Sequence, residues 1–151
     1  MTTKSHLPQP PGTAQLLARQ TVQLAAVMDA AAEKAAAASG LTRADVDVLH
    51  SLHQARGRLT PSELAAACRL SSGGTSNIVR RLAASGYLIR EANSTDGRSS
   101  WVQLTEEGSR LAQTVTDAVD AGHERLLQRL PDGLAEQLSR LLGDALTQLE
   151  R

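Results

Sequence analysis

The segment Thr60-Pro61-Ser62-Glu63 constrains this chain more than any other. Threonine can cap a helix, proline fits a first turn where no amide is needed, and glutamate three places after the cap can reach back to the cap amide. A helix therefore starts at Pro61. It cannot run far, because Ser71-Ser72-Gly73-Gly74 follows as a polar turn. Leu64, Ala67 and Cys68 are expected to face inward on this short helix. A further helix reads from the turn to about Ser85 and stops at Gly86, the residue type favoured just past a helix end. Two short helices joined so tightly must bury their apolar faces on other elements, so the flanking sequence decides the fold.

Upstream, Thr42-Arg43-Ala44-Asp45 resembles a capping box and opens a helix with Val46, Leu49 and Leu52 on one face, ending near Gly57. Before it, Thr13 to Ser39 reads as one long helix closed by Gly40. Leu17, Leu24, Ala31 and Ala38 recur along it at seven-residue spacing, a stripe suited to another helix. A helix so long and alanine-rich points to a partner chain. Downstream, Tyr87-Leu88-Ile89-Arg90 and Trp101-Val102-Gln103-Leu104 read as strands. Between them Ala92 to Ser100 holds the turn dipeptide Asp96-Gly97. Thr105-Glu106-Glu107 then caps a long helix carrying Leu111, Val115, Ala118, Leu126 and Leu130. Leu130-Pro131-Asp132 breaks it, and a last helix carries Leu134, Leu138, Leu141, Leu142, Ala145, Leu146 and Leu149. The expected class is mainly α with a small β-hairpin wing: a winged helix-turn-helix between long terminal helices.

Composition removes several competitors. The chain has no phenylalanine and only Tyr87 and Trp101 as aromatics. Modules that stack bases on aromatic platforms, and aromatic-cored β-sandwiches, are thereby disfavoured. The single cysteine, Cys68, excludes an intramolecular disulfide framework and a multi-cysteine zinc site. Pro8, Pro10 and Pro11 interrupt any signal-peptide run, and the apolar stretch Leu24 to Ala38 is short and broken by Asp29, Glu33 and Lys34. No membrane span and a cytoplasmic location are expected. No nucleophile-elbow, phosphate-loop or paired-histidine metal motif is present, so neither an enzyme nor a cofactor is expected.

Sixteen basic residues balance sixteen acidic ones, yet the balance is uneven along the chain. Residues 56–110 carry eight basic against five acidic side chains, and residues 111–151 carry four against seven. The basic excess coincides with the helix beginning at Ser72. Advancing about 100° per residue puts Thr75, Ile78, Val79 and Leu82 on one side of it. Gly73, Ser76, Asn77, Arg80 and Ala84 lie opposite, with Arg81 at the edge. Asparagine can pair bidentately with adenine and arginine with guanine, and paired glycines let backbone amides approach a phosphate. The alternative is a solvated surface helix. The hairpin tip Ser94-Thr95-Asp96-Gly97-Arg98-Ser99 is polar, and an arginine there can enter a minor groove while Asp96 orients it or the turn.

At these residues the sequence resembles the MarR family of bacterial transcription regulators, over about Leu41 to Leu104. The resemblance rests on Thr60-Pro61-Ser62-Glu63-Leu64-Ala65, Ser71-Ser72-Gly73-Gly74-Thr75-Ser76-Asn77, and Arg81-Leu82 with Gly86-Tyr87-Leu88. Asp96-Gly97-Arg98-Ser99 and Leu104-Thr105-Glu106-Glu107-Gly108 complete it. It implies a homodimer with interlocking terminal helices on near-palindromic double-stranded DNA. It also implies Ser71, Ser72, Gly73, Gly74, Ser76, Asn77, Arg80 and Arg81 on the recognition helix, and Asp96, Arg98 and Ser99 in the wing, as DNA-binding residues. Many relatives carry an acidic residue where this chain has Arg80. That departure argues against a helix-to-wing salt bridge from this position and for a direct DNA contact.

The expected division is a flexible tail over 1–12, an N-terminal dimerisation helix over 13–40, a winged DNA-binding domain over 41–104 and C-terminal dimerisation helices over 105–151. The expected function is that of a sequence-specific regulator, a repressor released by a signal such as a small-molecule effector. The competing reading is a winged-helix protein-interaction module docking through the last helix. Asp47, His50 and His53 share one helix face and could supply metal ligands, although polar packing is the plainer reading. Cys68 could sense oxidants, but its place beside Leu64 favours packing.

Overall fold

The computed structural model describes residues 12–55, 57–92 and 100–150. Among them, six helices and a three-stranded sheet follow one another as α1 (Thr13–Ala38), α2 (Arg43–Gln54), β1 (Arg58–Leu59), α3 (Pro61–Ala67), α4 (Ser72–Ala84), β2 (Leu88–Ala92), β3 (Ser100–Leu104), α5 (Glu106–Leu127) and α6 (Leu134–Leu149). This is a mostly helical winged helix-turn-helix arrangement. No described helix is long and apolar enough to cross a membrane.

The helix starts follow local chemistry. Thr42 and Thr60 each form a complete capping box, with Asp45 and Glu63 returning bonds to the cap. Because Glu63 accepts from the backbone and side chain of Thr60, its carboxyl titrates below the usual range. Pro61 occupies the first turn of α3. Gly40 and Gly86 lie just beyond α1 and α4 with φ of +69° and +81°, a left-handed conformation that a side chain would resist.

The sheet is antiparallel in the order β1-β3-β2. Arg58 pairs with Gln103, and Leu88 through Ala92 pair with Leu104 back to Ser100. The hairpin accords with the two expected strands, whereas β1 was not expected. Its two residues carry no periodic signal, and its existence depends on β3 offering a free edge. On the sheet, the Arg58 guanidinium stands 4.7 Å from the Trp101 ring centroid and 4.0 Å from Glu91, a cation–π contact at the root of the wing.

The core lies where α2, α3, α4 and the sheet meet. Leu49, Leu52, Leu64, Val79, Leu82, Leu88 and Val102 are its main buried side chains. A smaller cluster of Ala36, Val46 and Val115 joins α1 and α5 to it. Ala67 is exposed, contrary to expectation. The helix is so short that only Leu64 becomes fully buried, with Cys68 half-covered at its end.

The start of α5 is wedged against the corner between α4 and β2. The Thr105 amide donates to Tyr87 O at 3.0 Å, and its hydroxyl donates to Gly86 O at 2.7 Å. Gly108 passes so close that a Cβ there would lie 2.0 Å from Tyr87 O.

The terminal helices are less covered. On α1 the side facing the core is built from Met28, Ala32 and Ala36, while Leu17, Val22, Leu24 and Val27 remain exposed. The seven-residue stripe is therefore not the side buried within the chain. His123 of α5 reaches back to α1, with Nε2 3.1 Å from Met28 O. Along α6 no residue is buried, and Leu146 and Leu149 are 56% and 82% exposed.

Candidate nucleic-acid interface

The helix-turn-helix pair is held by an unusual turn. At the end of α3 the Arg69 amide bonds to Ala66 O and the Leu70 amide to Ala65 O at 2.9 Å. This closure requires Arg69 at φ +52°, a conformation usually left to glycine or asparagine. Two residues later Ser71 caps α4, its Oγ accepting from the Gly74 amide at 3.1 Å. The Thr75 hydroxyl donates to Ser71 O at 3.0 Å, satisfying a side chain that is fully buried. The turn and the cap together fix where α4 begins.

Its orientation follows from its apolar side. Thr75, Ile78, Val79 and Leu82 are buried, as the helical wheel implies. Ser71, Ser72, Gly73, Asn77, Arg80 and Arg81 are exposed, while Gly74 and Ser76 are half-buried. No acidic residue occupies the first turn of α4, so the positive end of the helix is not neutralised there. The outward side thus offers backbone amides and hydroxyls at one end, Asn77 in the middle and arginine towards the other. It is a surface able to meet both phosphates and base edges.

Arg81 has a partner that sequence spacing could not reveal. Its Nη2 donates to Asp45 Oδ1 on α2. Asp45 is buried, and its other oxygen accepts from the Thr42 amide and hydroxyl at 2.9 and 2.8 Å. The expected wing contacts Asp96, Arg98 and Ser99 lie outside the described residues, as does Arg56.

The metal and redox candidates separate. Asp47 Oδ1 accepts from Arg43 Nε at 2.9 Å, and this pairing raises the guanidinium further above its already high pKa. His50 Nδ1 lies 3.3 Å from Thr116 Oγ1 on α5. His53 instead lines a polar hollow with Gln54, Gln103 and Ser109. Among the described residues no three of His, Cys, Asp and Glu converge as a metal site. Burial pushes the Cys68 thiol pKa up, and its sulfur sits 3.4 Å from Ser51 Oγ. A thiol held in its protonated form is a poor nucleophile.

Comparison with known proteins agrees with this geometry. The sequence profile described as MarR family matches residues 39–99. A protein named HTH-type transcriptional repressor Rv2887, from Mycobacterium tuberculosis, is 31% identical over 103 residues, covering 68% of this chain and 73% of the relative. Among solved structures, wild-type MarR (apo form) from E. coli superposes with a TM-score of 0.77 at 22% identity, covering 92% of this chain and 99% of that one. A mutant MarR from E. coli complexed with operator DNA gives 0.71 at 24% identity, covering 86% and 93%. The structural likenesses carry the fold, and the sequence matches carry the kinship: the chain belongs to the MarR family.

Proposed function

We propose that this protein is a transcriptional repressor that binds a near-palindromic double-stranded operator as a homodimer and leaves it on a signal. The observation that carries the reading is the outward side of α4, where Ser72, Gly73, Asn77 and Arg80 stand exposed above a fully buried apolar side. A helix presented this way fits a major groove. The Mycobacterium tuberculosis relative is named a repressor, and one structural neighbour is a mutant MarR from E. coli complexed with operator DNA. Both names support the same use of the fold here. Asp96, Arg98 and Ser99 would serve at the minor groove.

The homodimer is supported by what the single chain leaves uncovered. Among the described residues, Leu141, Leu142, Leu146 and Leu149 form an exposed apolar stripe on α6, and Leu16, Leu17, Val22 and Leu24 are exposed on the first half of α1. Exposed apolar surface of this extent marks an interaction site. A twofold partner covers both stripes at once, and it sets two recognition helices against two half-sites. The division into terminal dimerisation helices and a central winged DNA-binding domain follows.

The test is selection of duplexes from a randomised pool, followed by fluorescence-anisotropy titration of the enriched duplex across salt. Expected is an enriched inverted repeat whose affinity falls steeply as salt rises. Asn77→Ala should cost about 1–3 kcal/mol at one base position, whereas Arg98→Ala should weaken binding evenly across sequences. In sedimentation, Leu146→Asp should shift the protein towards monomer. Failure to enrich any duplex, or salt-independent binding, would refute the proposal.

A further inference from the structure

Arg81 is exposed on the helix proposed to read DNA, yet its guanidinium is already engaged. We propose that Arg81 is a positioning residue: through Asp45 it fixes the roll of α4 about its own axis, and it does not itself hold DNA. This rests on the DNA-reading function proposed above and assigns a different role to one residue of that surface.

Asp45 is the reason. Its side chain is only 3% exposed, against 54% for Arg81. A buried carboxylate needs both charge compensation and hydrogen bonds. Thr42 supplies two bonds to Oδ2, and Arg81 supplies the charge at Oδ1. Pulling Arg81 away to a phosphate would leave the buried carboxylate without a cation. The exposed arginine is therefore committed inward.

The geometry also explains what the pair does. The remaining hold on α4 comes largely from Ile78, Val79 and Leu82, whose apolar contacts have little directionality. Such a contact tolerates small rolls, whereas bidentate base contacts tolerate only about 10–20° of misorientation. Arg81 leaves α4 at the border between its buried and outward sides, so a roll carries its guanidinium towards or away from Asp45 on α2. Among the described residues it makes the one ion pair joining α4 to another helix. The other end is well anchored: α2 begins at the Thr42 capping box, and Arg43 ties that turn to Asp29 of α1 at 3.1 Å and to Asp47. The roll of the reading helix is thereby referred to the base of the long N-terminal helix.

The experiment compares Asp45→Asn, Arg81→Gln, Arg81→Lys and the double variant Asp45→Asn/Arg81→Gln in the full chain. Each is titrated on the duplex enriched by the unmodified protein, and on an unrelated duplex, across a salt series. Asp45→Asn keeps an amide oxygen for the Thr42 amide, so the start of α2 is retained; circular dichroism checks this. Expected is about tenfold weaker binding to the enriched duplex for Asp45→Asn and for Arg81→Gln. The double variant should be no worse than the weaker single, and Arg81→Lys should stay near the unmodified protein. The salt slope and the binding to unrelated DNA should not move.

A salt slope reduced by about one per protomer in Arg81→Gln, with Asp45→Asn binding as well as before or better, would overturn the proposal and make Arg81 a phosphate contact. Variants that melt earlier but bind the enriched duplex unchanged would overturn it as well, leaving a merely structural pair. If the unmodified protein enriches no duplex, the DNA-reading function itself falls, and this role with it.

Discussion

Gly108 offers the sharpest test of how the parts are joined. Two helical glycines contrast in their surroundings, Gly108 in the first turn of α5 and Gly143 in the middle of α6. A Cβ on Gly108 would lie 2.0 Å from Tyr87 O and 2.9 Å from Tyr87 C, whereas one on Gly143 would meet nothing within 4 Å. Alanine in place of a helical glycine gains about 1 kcal/mol from backbone propensity alone. At Gly143 that gain should appear nearly undiminished, because the residue sits in mid-helix on the side away from the leucine stripe of α6. At Gly108 the atom in the way belongs to the backbone, and Tyr87 O is also the acceptor for the Thr105 amide at 3.0 Å. Relieving the clash must open that bond or lift α5 from the corner. Overpacking costs about 1–3 kcal/mol, and a lost hydrogen bond costs about 1 kcal/mol more. The net expectation for Gly108→Ala is a loss of about 1–3 kcal/mol, a melting midpoint lower by about 2–12 °C at this chain length. Gly143→Ala should instead rise by about 2–4 °C. Differential scanning calorimetry at equal protomer concentration measures both. If Gly108→Ala melts with or above the unmodified protein, the tight docking of α5 on Tyr87 is refuted.

Two smaller predictions follow from the titrating groups. Cys68, whose thiol pKa is raised by burial, should react with a disulfide reagent at neutral pH far more slowly in the native protein than after denaturation; equal rates would contradict its placement. Glu63 has a lowered pKa in the fold, so its contribution is present above the unfolded value of about 4.3 and is lost as pH falls through the folded value. The gap in urea midpoint between Glu63→Gln and the unmodified protein should therefore close on acidification below that range, and a pH-independent gap would contradict the capping role.

What could be read in advance was local. Caps at Thr42, Thr60 and Thr105 depend on residues within one turn, and sequence spacing carries them directly, whereas Ser71, which reads as part of a polar turn, caps α4. The buried side of α4 was likewise legible, because Thr75, Ile78, Val79 and Leu82 follow the helical period. What escaped were features that exist only once distant segments meet. The strand Arg58–Leu59 is defined by its pairing with β3. The partner of Arg81 lies on α2, far from it in sequence. Gly108 belongs to the run Leu104-Thr105-Glu106-Glu107-Gly108, but nothing in the spacing of that run shows Tyr87 lying against it. The stripe through Leu17 and Leu24, by contrast, was visible in advance and pointed outside the chain, and both leucines are exposed. On the candidate site, the helix side was therefore predictable, and the distinction between a residue free to reach outward and one held inward was not.

The contact between Arg58 and Trp101 has a consequence for observation. Trp101 is the chain's single tryptophan, so all indole emission originates at the root of the wing. The ring is partly open to solvent and has a guanidinium 4.7 Å from its centroid, with the Glu91 carboxylate beside that cation. Its colour and yield are therefore sensitive to that cation, to the pairing of Trp101 with Glu91 and to local water. Nature has supplied a site-specific optical label, positioned on β3 where it pairs with β2. Any change in that emission when a duplex or small molecule is added is a report from the base of the hairpin, with no tryptophan at another position of the chain to disentangle.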